Sequence, residues 1–135
     1  MLVSDVAPVA GLPPGVHRWG KGKVRVKDDG MVATEEGVYL AGSSLRLIDA
    51  VLNAKFVYGM KFEQAIASAT IIPAELLGLV GGTDVDFFGP REGQKANFVL
   101  FEPQKANVGY RADILAAFAD GVPVVLDGQR VHGRF

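Results

Sequence analysis

Leu2-Val3-Ser4-Asp5 is a short strand-like run closed by a carboxylate, and it opens directly into the Gly/Pro-rich loop Val6-Ala7-Pro8-Val9-Ala10-Gly11-Leu12-Pro13-Pro14-Gly15. An aspartate at the C-terminal tip of an apolar strand, with a loop after it, is where α/β barrels and open α/β sheets present catalytic groups. Its local spacing also fits ordinary turn chemistry, in which the Asp side chain bonds nearby backbone N–H groups. The longer pattern around it favours the functional reading. Because the run starts at residue 1, this chain holds nothing upstream to supply the neighbouring strands that such a tip sits among, so it is expected to be a portion of a larger fold.

Beyond the loop, Lys23-Val24-Arg25-Val26-Lys27 alternates polar and apolar with period two, and Asp28-Asp29-Gly30 separates it from the extended run Met31-Val32-Ala33-Thr34. Asp-Gly supplies the positive φ that a tight turn demands, so this is a hairpin with one buried and one wet face. Leu40-Ala41-Gly42-Ser43-Ser44 reads as a small-residue turn leading into a helix. Leu45, Ile48, Leu52 and Phe56 share one helical face, with Ser43 or Ser44 as N-cap and Gly59 as the stop. Leu47, Val51 and Val57 add apolar bulk off that stripe, so the helix is expected to be covered on more than one side. A second helix over Phe62, Ala65, Ile66 and Ala69 ends near Thr70, and a third starts with Pro73 at its first position and closes at Gly78.

The Gly/Pro-rich stretch Gly81 to Gly93 is the best boundary candidate. It lacks the accompanying residues of a phosphate-binding glycine loop. After it, Asn97 to Phe101 reads as a buried strand, Ala112 to Ala119 as a helix, and Val122 to Val131 as a terminal hairpin on Asp127-Gly128, with Pro123 on an edge.

Composition excludes several classes of function. Of 135 residues, 49% are hydrophobic and 21% charged, enough for a globular core and too apolar for a disordered chain. The net charge of −1 carries no block of like sign, so neither nucleic acid nor an anionic membrane is an expected partner. Apolar runs are too short and interrupted to span a bilayer and no signal peptide is readable, so a cytoplasmic location is expected. Cysteine is absent, which removes disulfides and thiolate chemistry. The two histidines, His17 and His132, stand far apart and in no metal-binding motif. A catalytic zinc takes three protein ligands, and no such set is readable here.

In order along residues 1 to 80, the Leu2–Asp5 run, the Ala10–Gly15 loop, the hairpin turning at Asp29-Gly30, Leu40-Ala41-Gly42-Ser43-Ser44-Leu45 and Ala69-Thr70-Ile71-Ile72-Pro73-Ala74 resemble the C-terminal part of the N-acetylglucosamine-6-phosphate deacetylase family, within the amidohydrolase superfamily. Arg91 to Phe101 looks like the family's strand entering a small β-sandwich, with Glu92 where proline is usual. Gly109 to Gly121 departs from the family, which passes there by a shorter connection.

The resemblance implies an α/β fold: the last strand and helices of a metal-dependent-hydrolase TIM barrel over residues 1–80, with an inserted β-hairpin at about 22–35, and part of a small β-sandwich over 81–135. It implies that Asp5 is the general base toward a metal-bound water and then the general acid toward the departing amine, a role Ser or Asn could not fill. It also implies that Leu40, Ala41 and Gly42 meet an amino-sugar phosphate substrate; the plain alternative for Leu40 is core packing. The intact family enzyme holds a divalent metal, zinc being the expected ion, through a glutamate and histidines that lie upstream of anything here.

The isolated chain is therefore expected to bind no metal and to be inactive, as a truncated deacetylase. It is expected to self-associate or to join the missing barrel portion. Two alternatives stand beside this: a non-catalytic interaction or oligomerisation remnant, and a fragment of another amidohydrolase of dihydroorotase or imidazolonepropionase type.

Overall fold

A computed structural model describes residues 1–79, 92, 96–126 and 128–130. It is mixed α/β, with two antiparallel four-stranded sheets and three short helices among the described residues. The chain divides into two compact units, one spanning Leu2–Ala50 and the other Val51–Phe135 together with Met1.

The first unit is a meander of β1 (Gly15–Trp19), β2 (Gly22–Val26), β3 (Val32–Thr34) and β4 (Leu40–Gly42), in that order. The period-two pattern of residues 23–27 folds as expected: Val24 and Val26 are buried, while Lys23 and Arg25 are exposed. The β2–β3 turn closes with Gly30 N–H donating to the Lys27 carbonyl and Lys27 N–H to that of Met31, both at 2.9 Å, and the Asp29 Oδ1 accepts the Met31 N–H at 2.9 Å. Val24, Val26 and Val32 form one cluster with Ala7 and Val9 of the N-terminal loop, with Ala10 and Ala41 packed against it.

Two expectations change here, and one strand is added. Leu2–Asp5 forms no strand, because no described segment lies beside it to exchange ladder bonds; the first pairing is an isolated parallel bridge between Val6 and Ser43. Leu40–Gly42 is a strand, not a turn, held to β3 across a register shift at Val32/Ala33. Gly15–Trp19 is a strand that its own irregular apolar spacing does not announce.

Helix α1 (Leu47–Phe56) begins later than expected. The Ser43 Oγ accepts the Leu45 N–H at 3.3 Å and so serves the turn before the helix. Arg46 instead organises the entrance, its guanidinium gripping the buried Asp49 carboxylate through two bonds of 2.7 and 2.8 Å. Ala50, Val51, Leu52 and Ala54 are all buried, so the helix is covered on more than one side as its composition indicates.

In the second unit, α2 (Phe62–Ala69) stops before Thr70 as expected, and α3 covers Ile71–Leu76. Pro73 takes the third helical position, not the first. This costs no bond, since the first four N–H groups of a helix have no intrahelical partner.

The second sheet is β5 (Phe98–Lys105), β6 (Tyr110–Ala119), β7 (Val122–Leu126) and β8 (Gln129–Arg130). Residues 112–119, read from their alanines as a helix, form most of β6. Positive φ at Gly109, Asp120 and Gly121 reverses the chain at both ends of this segment, and the flanking runs Phe98–Phe101 and Val122–Val125 both pair with it. Pairing on two sides overrides a helix preference that amounts to a few tenths of a kcal/mol per residue. Pro123 sits at a register shift, and no described residue on the β8 side pairs with it. The proposed boundary loop 81–93 lies outside the described residues except for Glu92, as do Asp127 and Val131 of the terminal hairpin and the later His132.

Candidate active site

The candidate site residues lie where the N-terminal loop meets β4. Ala7 N–H donates to the Ser43 carbonyl at 2.8 Å, extending the Val6–Ser43 bridge, and the turn continues through Ala10 N–H to the Ala7 carbonyl at 2.9 Å. Burial of Ala7 and Val9 in the sheet core fixes the loop from below. Asp5 and Leu40-Ala41-Gly42, distant in sequence, thus belong to two segments that are hydrogen-bonded neighbours.

Asp5 has φ 43°, in the left-handed region that a non-glycine residue enters at a cost and that Asp tolerates better than most. It is exposed, and its carboxylate makes no hydrogen bond among the described residues. Asp29 shows the contrasting case, with its oxygen spent on a backbone N–H of its own turn.

Leu40 is 72% exposed, which removes core packing as its role. Gly42 is constrained from two directions: a Cβ there would lie 2.9 Å from that of Ala7 and 3.5 Å from the six-membered ring of Trp19. Any side chain at this position would push apart the loop and the strand. The sequence reading does not include Trp19; the available signal is the chain's one tryptophan, followed by Gly20 and Gly22.

Among the described residues no three His, Asp or Glu side chains gather where a metal ion could be held. The His17 Nε2 lies 2.7 Å from the Pro13 carbonyl, which can only accept, so that nitrogen carries a proton and is committed to the loop. The described residues do not fit the catalytic zinc that the family resemblance implies.

No protein-family model matches the chain. Individual proteins do. The mouse N-acetylglucosamine-6-phosphate deacetylase is 34% identical over 95 residues, 64% of this chain and 23% of that enzyme. The human enzyme matches at 34% over 95 residues with the same coverage, and the Vibrio furnissii enzyme at 37% over 78 residues, 58% of this chain and 19% of its own length. The chain is similar to the N-acetylglucosamine-6-phosphate deacetylases. The resemblance read from Leu2–Asp5, the Leu40–Leu45 segment and Ala69–Ala74 is thereby borne out. The chain spans about a fifth of the length of the deacetylases it matches.

Proposed function

We propose that this chain corresponds to the C-terminal part of an N-acetylglucosamine-6-phosphate deacetylase and contributes two things to amide hydrolysis: the proton-transferring Asp5 and the substrate-contacting backbone of Leu40-Ala41-Gly42. In that reaction water adds to the acetyl carbonyl carbon, the C–N bond breaks, and acetate and the amino-sugar phosphate leave. The Asp5 carboxylate takes a proton from the attacking water and returns it to the departing nitrogen. The observation that carries this reading is the Val6–Ser43 bridge, which sets the loop of Asp5, whose carboxylate has no partner among the described residues, beside the β4 strand Leu40-Ala41-Gly42.

Within the same proposal, residues 1–80 correspond to the end of a barrel and 81–135 to part of a β-sandwich. The metal ligands come from outside the described residues, the completed protein works in the cytoplasm, and the chain associates with itself or with the rest of the barrel. No helix among the described residues is long and apolar enough to cross a membrane.

The test is a titration of the ¹⁵N-labelled chain with N-acetylglucosamine 6-phosphate. Amide shifts concentrated at Asp5, Ala41 and Gly42 are expected. Saturating ligand that leaves those amides unmoved would overturn the assignment.

A further inference from the structure

We infer that Trp19 forms a wall of the amino-sugar site beside Gly42, its indole face receiving the pyranose ring; the inference rests on the function proposed above. Trp19 is the only tryptophan in the chain. It pairs with Gly22 at the end of β1–β2, on the face that carries Val24 and Val26 into the core. A Cβ at Gly22 would meet only the Trp19 carbonyl oxygen, at 3.9 Å, so the indole does not lie over its cross-strand neighbour. It lies against Gly42, with Cζ3 and Cη2 each 3.5 Å from where a Cβ would stand. Asp5 is two residues from Ala7, the other neighbour of Gly42, and so its Cα lies within about 7 Å of that of Ala7. The indole is therefore placed at the junction of the two segments assigned to the site.

What the ring leaves open matters as much. Trp19 remains 38% exposed, and among the described residues no aromatic ring stacks on it and no hydrogen bond engages its Nε1–H. A pyranose offers a face of C–H groups to the electron-rich face of an indole, and its hydroxyls or an acetyl carbonyl can accept from an indole N–H. An apolar surface with one directed polar group, near a loop whose Asp5 carboxylate has no partner among the described residues, is the composition of a small-ligand site. Ordinary packing of Trp19 onto Gly42 would contribute to stability alone and would not distinguish a cyclic from an acyclic ligand.

The whole chain is titrated with N-acetylglucosamine 6-phosphate while calorimetric heat and tryptophan emission are recorded in parallel; sorbitol 6-phosphate serves as the control that keeps the phosphate and lacks the ring. An emission change that saturates together with the heat is expected, and is absent with the acyclic control. Trp19→Ala weakens binding about 3- to 10-fold while Trp19→Phe stays close to native, with circular dichroism showing both variants folded. Heat from the native chain without an emission change overturns the role of Trp19 and leaves the proposed function standing. Equal affinity in a folded Trp19→Ala variant does the same. Absence of heat from the native chain overturns the proposed function and this inference with it. Should Trp19→Ala fail to fold, the native emission titration decides.

Discussion

The side-chain amide of Asn53, on α1, pairs with the backbone of Tyr110 at the start of β6: its Oδ1 accepts the Tyr110 N–H at 2.7 Å and its Nδ2 donates to the Tyr110 carbonyl at 3.4 Å. One residue of a helix thereby takes the place of a strand neighbour. Phe56, about one turn further along α1, stacks on the Tyr110 ring with centroids 4.6 Å apart. The close approach is possible because residue 109 is glycine; a Cβ there would collide with the Asn53 amide, and its φ of +68° is disfavoured for any other residue.

Asn53→Ala strands a donor and an acceptor together and is expected to lower stability by about 1–3 kcal/mol. Gly109→Ala adds left-handed strain of about 1 kcal/mol and displaces the same amide. Since both substitutions break one contact, their effects should be clearly less than additive. Urea unfolding of the two single variants and the double variant measures this. Strict additivity would show that Asn53 and Tyr110 are not coupled.

What the sequence makes legible follows from where its signals are local. The hairpin at residues 23–34 carries both an alternation and a turn signature, and α1 and α2 carry a helical period long enough to read. β6 was hidden because alanine and leucine favour helix locally, while the strands that overrule them lie on either side. β4 was hidden because Leu40-Ala41-Gly42 is too short and small to show a period. The candidate site residues are named by the resemblance alone, and no pattern in the sequence announces their proximity. It is created by the Val6–Ser43 bridge between segments that share no pattern. No pattern in the sequence singles out Trp19, because what distinguishes it is its contact with Gly42.

Asp5→Asn is expected to abolish most turnover in a full-length deacetylase that carries this chain in place of its matching segment. Positioned proton transfer contributes about 10²- to 10⁴-fold, and the amide cannot accept the proton. KM should change little, because Asn preserves shape. Near-native kcat in the Asn variant would return Asp5 to the role of a turn residue, although its carboxylate has no backbone partner among the described residues.

Gly42→Val tests whether the N-terminal loop and β4 depend on each other. The added side chain meets Ala7, a member of the core cluster, and the Trp19 ring at once, and overpacking of this kind costs about 1–3 kcal/mol. Lower thermal stability is expected, together with loss of the amide shifts at Asp5 on adding N-acetylglucosamine 6-phosphate. A stable variant with an undisturbed Asp5 resonance would show that the loop and β4 do not depend on each other.

The isolated chain is expected to take up no stoichiometric zinc and to release no amine from N-acetylglucosamine 6-phosphate. A catalytic zinc draws on three protein ligands, whereas cysteine is absent and one of the two imidazoles already donates to the Pro13 carbonyl. Equilibrium dialysis against zinc and an amine-release assay check the two halves separately. One bound equivalent together with turnover would mean that residues beyond those described complete a site after all.

Self-association is the remaining expectation, and β5 is where it should occur. This strand lies at the end of its sheet order, so one side of its ladder has no described partner. Its run Phe98-Val99-Leu100-Phe101 is uncharged, aromatic and β-branched, and Leu100 is 54% exposed. Unpaired edges of this composition recruit further strands, and natural proteins commonly blunt them with an inward-facing or edge lysine. Here the first charge arrives only at Glu102, after four apolar residues. A second copy of the chain pairing along β5 would cover both the free backbone groups and the apolar side chains. Light scattering over a range of concentrations should show a dimer or larger species that Leu100→Lys converts to monomer, with slow amide exchange along Phe98–Phe101 only in the associated form. A native chain that remains monomeric at every concentration, with β5 amides exchanging freely, would rule out β5 as the associating edge.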